Sequence, residues 1–165
     1  MTAKFETADD VKATVLNVIP PQRAGDIAVQ AGVVTANKAW CEVDFLSFES
    51  INVKGVHVIG DAIQVAPLMP KSGHMANQHA KVCAAAIVAL LSGQPPNTAP
   101  VLNNTCYSMI TDRDSVHVAS VHQYDAEKKT LLPVPGAGGL SPAMSAVEGD
   151  YAFAWARNIW ADMLA

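Results

Sequence analysis

Three groups of residues in this 165-residue chain have the type and spacing to do chemistry. The first is Gly60-Asp61, which closes the β-branched run Gly55-Val56-His57-Val58-Ile59, read as a buried strand. A glycine there lets a ligand approach the backbone, and the aspartate can accept hydrogen bonds from sugar-like hydroxyls. The same pair also fits an ordinary strand end with a turn-forming aspartate. The second is the loop Pro67-Leu68-Met69-Pro70-Lys71-Ser72, from which an alanine-rich helix opens at Ser72 and runs to Ser92-Gly93. Its free N–H groups and positive dipole end suit an electron-rich ring oxygen or a phosphate, and Lys71 adds a full charge. The third is Cys106 in Asn104-Thr105-Cys106-Tyr107-Ser108, which is either a thiol for nucleophilic or redox work or a buried thiol on a strand.

Other combinations are set aside. His79 and Cys83 are one helical turn apart and invite a metal, but further ligands are needed and His74 is expected to point well away. Met75, His79, Val82, Ala86 and Leu90 are therefore read as one apolar stripe, and Cys41 as a small core residue. The valines of Ser115–Tyr124 suit a half-buried strand, which puts His117 and His122 on opposite faces, so no metal site is expected. Three cysteines cannot all pair within one chain, which excludes a disulfide scaffold. A net charge of -4 leaves no basic field for nucleic acid or acidic lipid, and no apolar run reaches the roughly 18 residues of a membrane span.

The elements that must position these groups follow in order. Lys4–Thr7 and Lys12–Ile19 read as two strands around a turn, ended by Pro20-Pro21. Gln22–Ala31 reads as a short helix stopped by a left-handed Gly32, and Trp40–Asp44 as a strand. After the main helix, Gln94-Pro95-Pro96-Asn97-Thr98-Ala99-Pro100 is a stiff linker. Beyond it come strands at Val101–Ile110, Ser115–Tyr124 and Thr130–Val134, a glycine-rich loop at Pro135–Pro142, and a final helix from about Val147 to Met163. That helix carries apolar residues on two faces and is expected to pack between two layers, with Phe153 and Trp160 in the core.

Val58-Ile59-Gly60-Asp61-Ala62, then Pro67–Gly73, then a helix with Ala76-Asn77 and Lys81, resemble the second flavin-binding segment of the two-dinucleotide-domain disulfide-reductase superfamily. More narrowly, with Asn17–Gly25, Asn104–Ser108 and the tail Tyr151–Asp162, the chain resembles the flavoprotein subunit of flavocytochrome c sulfide dehydrogenase. The resemblance covers nearly the whole chain and extends to sulfide:quinone oxidoreductase. It implies an α+β fold: residues 1–93 as the carboxyl-terminal part of an FAD/NAD(P)-binding domain, 94–100 as linker, and 101–165 as a small flavin-binding and interface lobe.

By the same resemblance FAD is the cofactor, sulfide the substrate, a cytochrome c subunit the partner and the periplasm the location. Cys106 would be half of a redox disulfide beside the flavin. Gly60, Asp61, Met69, Pro70, Lys71, Ser72 and Trp155 would line the cofactor. A complete family member opens with a G-x-G-x-x-G loop, which is not found here, so the chain is expected to be a fragment, a truncated form or a degenerate gene product. The partner of Cys106 then lies elsewhere, unless Cys41 or Cys83 substitutes. The alternative is a non-catalytic module that folds without FAD and self-associates as a homodimer or larger species.

Overall fold

The computed structural model describes residues 1–164; Ala165, the last residue of the expected terminal lobe, lies outside them. The fold is α+β, with helices and antiparallel strands. A two-stranded ribbon, β1 (Thr2–Ala3) against β2 (Val11–Lys12), precedes a short helix α1 (Asp26–Gln30). A one-turn 3-10 helix at Gly60–Ala62 precedes the long helix α2 (Gly73–Leu91). The antiparallel sheet β3 (Val101–Met109), β4 (Ser115–Asp125), β5 (Thr130–Leu140) follows in that spatial order, and α3 (Ala146–Leu164) closes the chain.

Several expectations change in the first half. The amino-terminal ribbon pairs Thr2 with Lys12 and Ala3 with Val11, not Lys4–Thr7 with Lys12–Ile19. Val15, Val18 and Ile19 are exposed, so no burial holds residues 13–19 in a ladder. Helix α1 begins only at Asp26 because Gly25 is extended and Gln22 turns its side chain back onto the Pro20 carbonyl. Gly32 does end the helix at a left-handed φ of 72°. Neither Gly55–Ile59 nor Trp40–Asp44 is a strand. His57 bridges Glu49, Val43 bridges Ser50, and Cys41 bridges Ile63 as single pairs. A buried strand of this kind needs a neighbour along its length; here only residues 48–50 pair with the 56–58 segment, and Ile59 reaches the surface.

The main helix and the sheet match expectation closely. Ser72 caps α2, whose buried face is Met75, His79, Cys83 and Ala86, while Leu90 is exposed. β3 and β4 pair without interruption from Val101 and Gln123 to Met109 and Ser115. β5 is longer than the expected Thr130–Val134. It pairs as far as Pro133 opposite His122, bulges, and resumes at Gly138 opposite Ser120. Pro135 has no N–H to give a ladder, and an edge strand tolerates the four-residue excursion. Gly138, at φ 113°, lets the strand return: a Cβ there would lie 2.4 Å from the Ala119 carbonyl oxygen.

One core joins the two halves. Phe48, Ile63, Met69, Met75 and Cys83 pack with Leu102 of β3 and Leu131 of β5. A second cluster under α1 holds Ala24, Ala28, Val33 and Cys41. Helix α3 packs on β4, and Ser145 caps it by accepting the Glu148 N–H. It has one buried face, Gly149 and Ala152, instead of two. Phe153, Trp160 and Met163 are exposed because only the sheet side is covered.

Gly149 is the point of closest approach, since a Cβ there would lie 1.9 Å from the Arg113 carbonyl oxygen. Gly149→Ala is expected to cost about 2 kcal/mol or more in urea unfolding, at the overpacking scale. Gly73→Ala, with open space around it, should change stability by less than about 0.5 kcal/mol.

Candidate functional site

The amino end of α2 fans consecutive side chains toward different elements. Ser72 is extended, at φ -154° and ψ 156°, and its Oγ accepts the Met75 N–H at 3.0 Å. The same hydroxyl donates to Oδ1 of Asn104, a side chain buried on β3. Asn104 Nδ2 in turn donates to Cys106 Sγ at 3.3 Å. The alternation of β3 puts Leu102, Asn104 and Cys106 on one face, with Leu102 in the core and the half-buried Cys106 at its border. The cysteine is thus tied through one amide to the helix cap.

Lys71 turns the other way. Its Nζ donates to the carbonyls of Asp61 at 2.6 Å and Ile63 at 2.8 Å, and stands 3.7 Å from the centre of the Trp40 ring. Burial lowers the Lys71 pKa, against the pull of Asp61. The lysine clamps the turn that carries Gly60 and Asp61. Gly60 sits at φ 69°, where a side chain is strained, and a Cβ would press on Ala76 at 3.3 Å. The Asp61 side chain is exposed and makes no hydrogen bond among the described residues. Met69 is in the core, so only its backbone can face a ligand, and Pro70 is half-buried.

His79 fixes the turn from beneath. Its Nδ1 accepts the Gly60 N–H at 3.1 Å, and its ring stacks on Phe48 at 4.6 Å. The ring is buried, and Nε2 has no partner among the described residues. Burial, with Lys71 nearby, lowers its pKa to about 4. His79 and Cys83 therefore belong to the core, as expected of the apolar stripe.

Trp155 reaches back from α3. Its Nε1 donates to His74 Nδ1 at 3.3 Å, and its ring lies 5.9 Å from that of Tyr107. His117, on the same face of the sheet as its cross-strand neighbour Tyr107, stands 2.7 Å from Glu148 Oε2 and anchors α3. That hydrogen bond is the main cause of the lowered Glu148 pKa. His122 is buried on the opposite face of β4 beside Ser120.

The structure gathers the expected residues around α2 in two places. Asp61 and Lys71 share a cleft of about 410 Å³ with Gln22, Arg23, Trp40 and Ala62. Ser72 is linked to Cys106 through Asn104 on one face of β3, and Trp155 stands beside Tyr107 of the other face, joined to α2 through His74. A larger hollow of about 550 Å³, between Ala76, Ala80, Ala84 and the Lys81–Asp162 pair, contains none of them. Chemically, the cleft offers a carboxylate that accepts from hydroxyls beside cations. The helix end offers N–H groups that lack an intrahelical acceptor. Cys41 and Cys83 are both buried, and all three thiols are free; neither stands in as a partner for Cys106. Sequence reasoning missed Asn104, Trp40 and His74, whose roles depend on contacts 31 to 81 residues away or across a turn. The adjacent polar pair Asn103-Asn104 on a strand was the available signal for Asn104.

Residues 98–164 match the family described as flavocytochrome c sulphide dehydrogenase, flavin-binding. That match spans β3, β4, β5 and α3, less than half of the chain. The match includes Cys106 and Trp155, supports reading the chain as a carboxyl-terminal portion of the flavoprotein subunit, and brings FAD as the cofactor by resemblance. Among the described residues no helix is long and apolar enough to cross a membrane.

Ser72→Ala removes a helix cap and leaves the buried Asn104 oxygen only the weak Cys106 thiol contact at 3.7 Å. The expected loss is about 2 to 3 kcal/mol in chemical denaturation, above the roughly 1 kcal/mol of a cap alone. His79 gives a pH signature. Its folded pKa of about 4 lies below the ordinary histidine value near 6.5, so the unfolded chain binds the extra proton in between. Its stabilising contribution is complete above about pH 6.5 and falls as pH drops toward 4, by on the order of 3 kcal/mol. His74 and His122, also lowered, act in the same direction. His79→Asn keeps an acceptor at the same position and removes the titration, so unfolding measured at pH 7 and 4.5 should differ less in this variant.

Proposed function

We propose that this chain forms the carboxyl-terminal wall of the flavin site in an FAD-dependent sulfide dehydrogenase, which oxidises sulfide and passes electrons to a cytochrome c subunit. The observation that carries the reading is that a flavin-binding family match covers the strand and helix whose Cys106 and Trp155 are linked, through Asn104 and His74, to the amino end of α2. The domain division at residues 93/94 and 100/101 belongs to the same proposal.

The residues fit the cofactor. Asp61, exposed and without a side-chain partner, is available to ribityl hydroxyls or the phosphate side. Gly60 lets a ligand come close to the turn. The loop from Met69 to Ser72 would offer backbone and the helix end to the pyrimidine edge of the ring, and Pro70 keeps that loop extended. Lys71 holds the turn in shape and contributes charge to the cleft. Bound FAD supplies the two-electron redox chemistry.

The chain's own residues position and shield. Cys106 serves as one sulfur of a redox disulfide, with a partner thiol outside this chain, and Asn104 holds its sulfur at the helix cap. Trp155 and Tyr107, with ring centres 5.9 Å apart, would supply aromatic surface beside the amino end of α2. The periplasm and the cytochrome partner follow the family resemblance.

A second reading has its own support: a module that self-associates without FAD. Ile19, Leu68 and Leu91 are each more than 80% exposed, and Trp160 lies bare on α3. Such side chains favour pairing with another copy.

The test is an absorbance spectrum between about 350 and 500 nm after FAD addition and desalting. Retained flavin bands, weakened at least tenfold in apparent affinity by Asp61→Ala, are expected. Sulfide should bleach them only when the cysteine partner is supplied, and Cys106→Ser should abolish bleaching while leaving the bands. A spectrum without flavin, from a protein that elutes as a dimer or larger species at micromolar concentration, would favour the second reading.

A further inference from the structure

His74 lies on the first turn of α2 and touches both other elements of the site. Its Nδ1 accepts the Thr105 N–H at 2.9 Å and the Trp155 indole N–H at 3.3 Å. One lone pair serves two donors from chain segments 31 and 81 residues away. Thr105 is the residue immediately before Cys106, on the strand face that also carries Tyr107. The imidazole meets the Trp155 ring edge-on at 5.6 Å, and Tyr107 stands 5.9 Å from the same indole. Among the described residues nothing else in the hydrogen-bond network joins α2, β3 and α3 at one atom.

We propose that His74 is a positioning residue: its neutral ring, by accepting from Thr105 and Trp155 through one nitrogen, sets the Cys106 strand and the Trp155 indole against the amino end of α2. This rests on the flavin-site reading for its purpose, though not for its geometry. The arrangement requires the tautomer with hydrogen on Nε2, because an Nδ1 that carries a proton has no lone pair to offer. Protonation of the ring releases both donors together. Burial, with Lys81 adding to it, lowers the His74 pKa against an opposing contribution from the Thr105 contact, and favours the accepting form. The charged and titratable groups around it are Lys81 on α2, Asp162 of α3 paired to Lys81, and Tyr107 of β3, which is itself near His117 of β4 and Glu148 and Tyr151 of α3.

Nuclear magnetic resonance on the ¹⁵N-labelled whole chain tests this directly. The Trp155 indole N–H and the Thr105 amide should shift together in one titration whose midpoint lies below the ordinary histidine value. In His74→Asn, whose amide oxygen occupies the Nδ1 position, both signals should stay near their bonded positions and no longer titrate. In His74→Leu both should move to unbonded positions at every pH. With FAD added, the wild type and His74→Asn should quench flavin fluorescence alike, and His74→Leu should lose at least half of that quenching. If the two signals titrate separately or not at all, the proposal fails, and the wild-type titration decides this even should His74→Leu not fold. If the signals behave as stated but no variant binds flavin, the positioning role stands and the flavin-site reading fails. If the signals behave as stated and flavin binds, but His74→Leu quenches it as fully as the wild type, the positioning role fails.

Discussion

The hydroxyl of Ser72 is the joint on which the site depends. As acceptor it starts α2 by taking the Met75 N–H, and as donor it fixes the buried amide of Asn104 on β3. A long helix and a three-stranded sheet are therefore registered through one atom, next to the core that Leu102 and Leu131 share with Met75 and Ile63. The cap must be extended to do this, and the residues on either side of it inherit the geometry. Lys71 before it is aimed at the Gly60–Ile63 turn, and His74 after it is aimed at Thr105 and Trp155. A helix amino end that already holds these partners presents its first N–H groups in a fixed direction, which is the preorganisation a cofactor site requires.

Much of this was legible in the sequence because the signals are local. Ser72 before an alanine-rich run, and Gly93 after it, mark a helix by cap chemistry alone. The alternation in Ser115–Tyr124 marks a strand by period, and the structure extends it by one residue. What failed were elements whose identity depends on a neighbour. Gly55–Ile59 has the composition of a buried strand, yet single bridges replace a ladder because only a short segment lies beside it. Phe153 and Trp160 look like core by type and are exposed because nothing covers the outer side of α3. Pro135 looks like the end of β5 and is a bulge within it, since an edge strand can leave the ladder and rejoin it at Gly138.

The candidate site divides in the same way. Asp61, Lys71, Ser72, Cys106 and Trp155 could be singled out from motif and resemblance, but their connections could not. Lys71 is a clamp on its own turn as much as a free charge, Met69 is a core side chain, and Asn104 is the intermediary between cap and thiol. His79 shows the physical cost of such a turn. A buried neutral imidazole holds the Gly60 N–H and leaves its own Nε2 unpaired, so the geometry of Gly60-Asp61 is maintained at the expense of one buried polar atom. Tolerating that cost is consistent with a turn whose shape serves a ligand.

Hydrogen–deuterium exchange of the chain with and without millimolar FAD tests most directly the claim that the amino end of α2 is the flavin-facing junction. The account predicts saturable protection confined to three peptides: the Gly60–Ile63 turn, the Ser72–Ala76 turn of α2, and the Asn104–Tyr107 segment of β3. Protection centred instead on the hollow between Ala80, Ala84 and the end of α3, with these three unchanged, would contradict it.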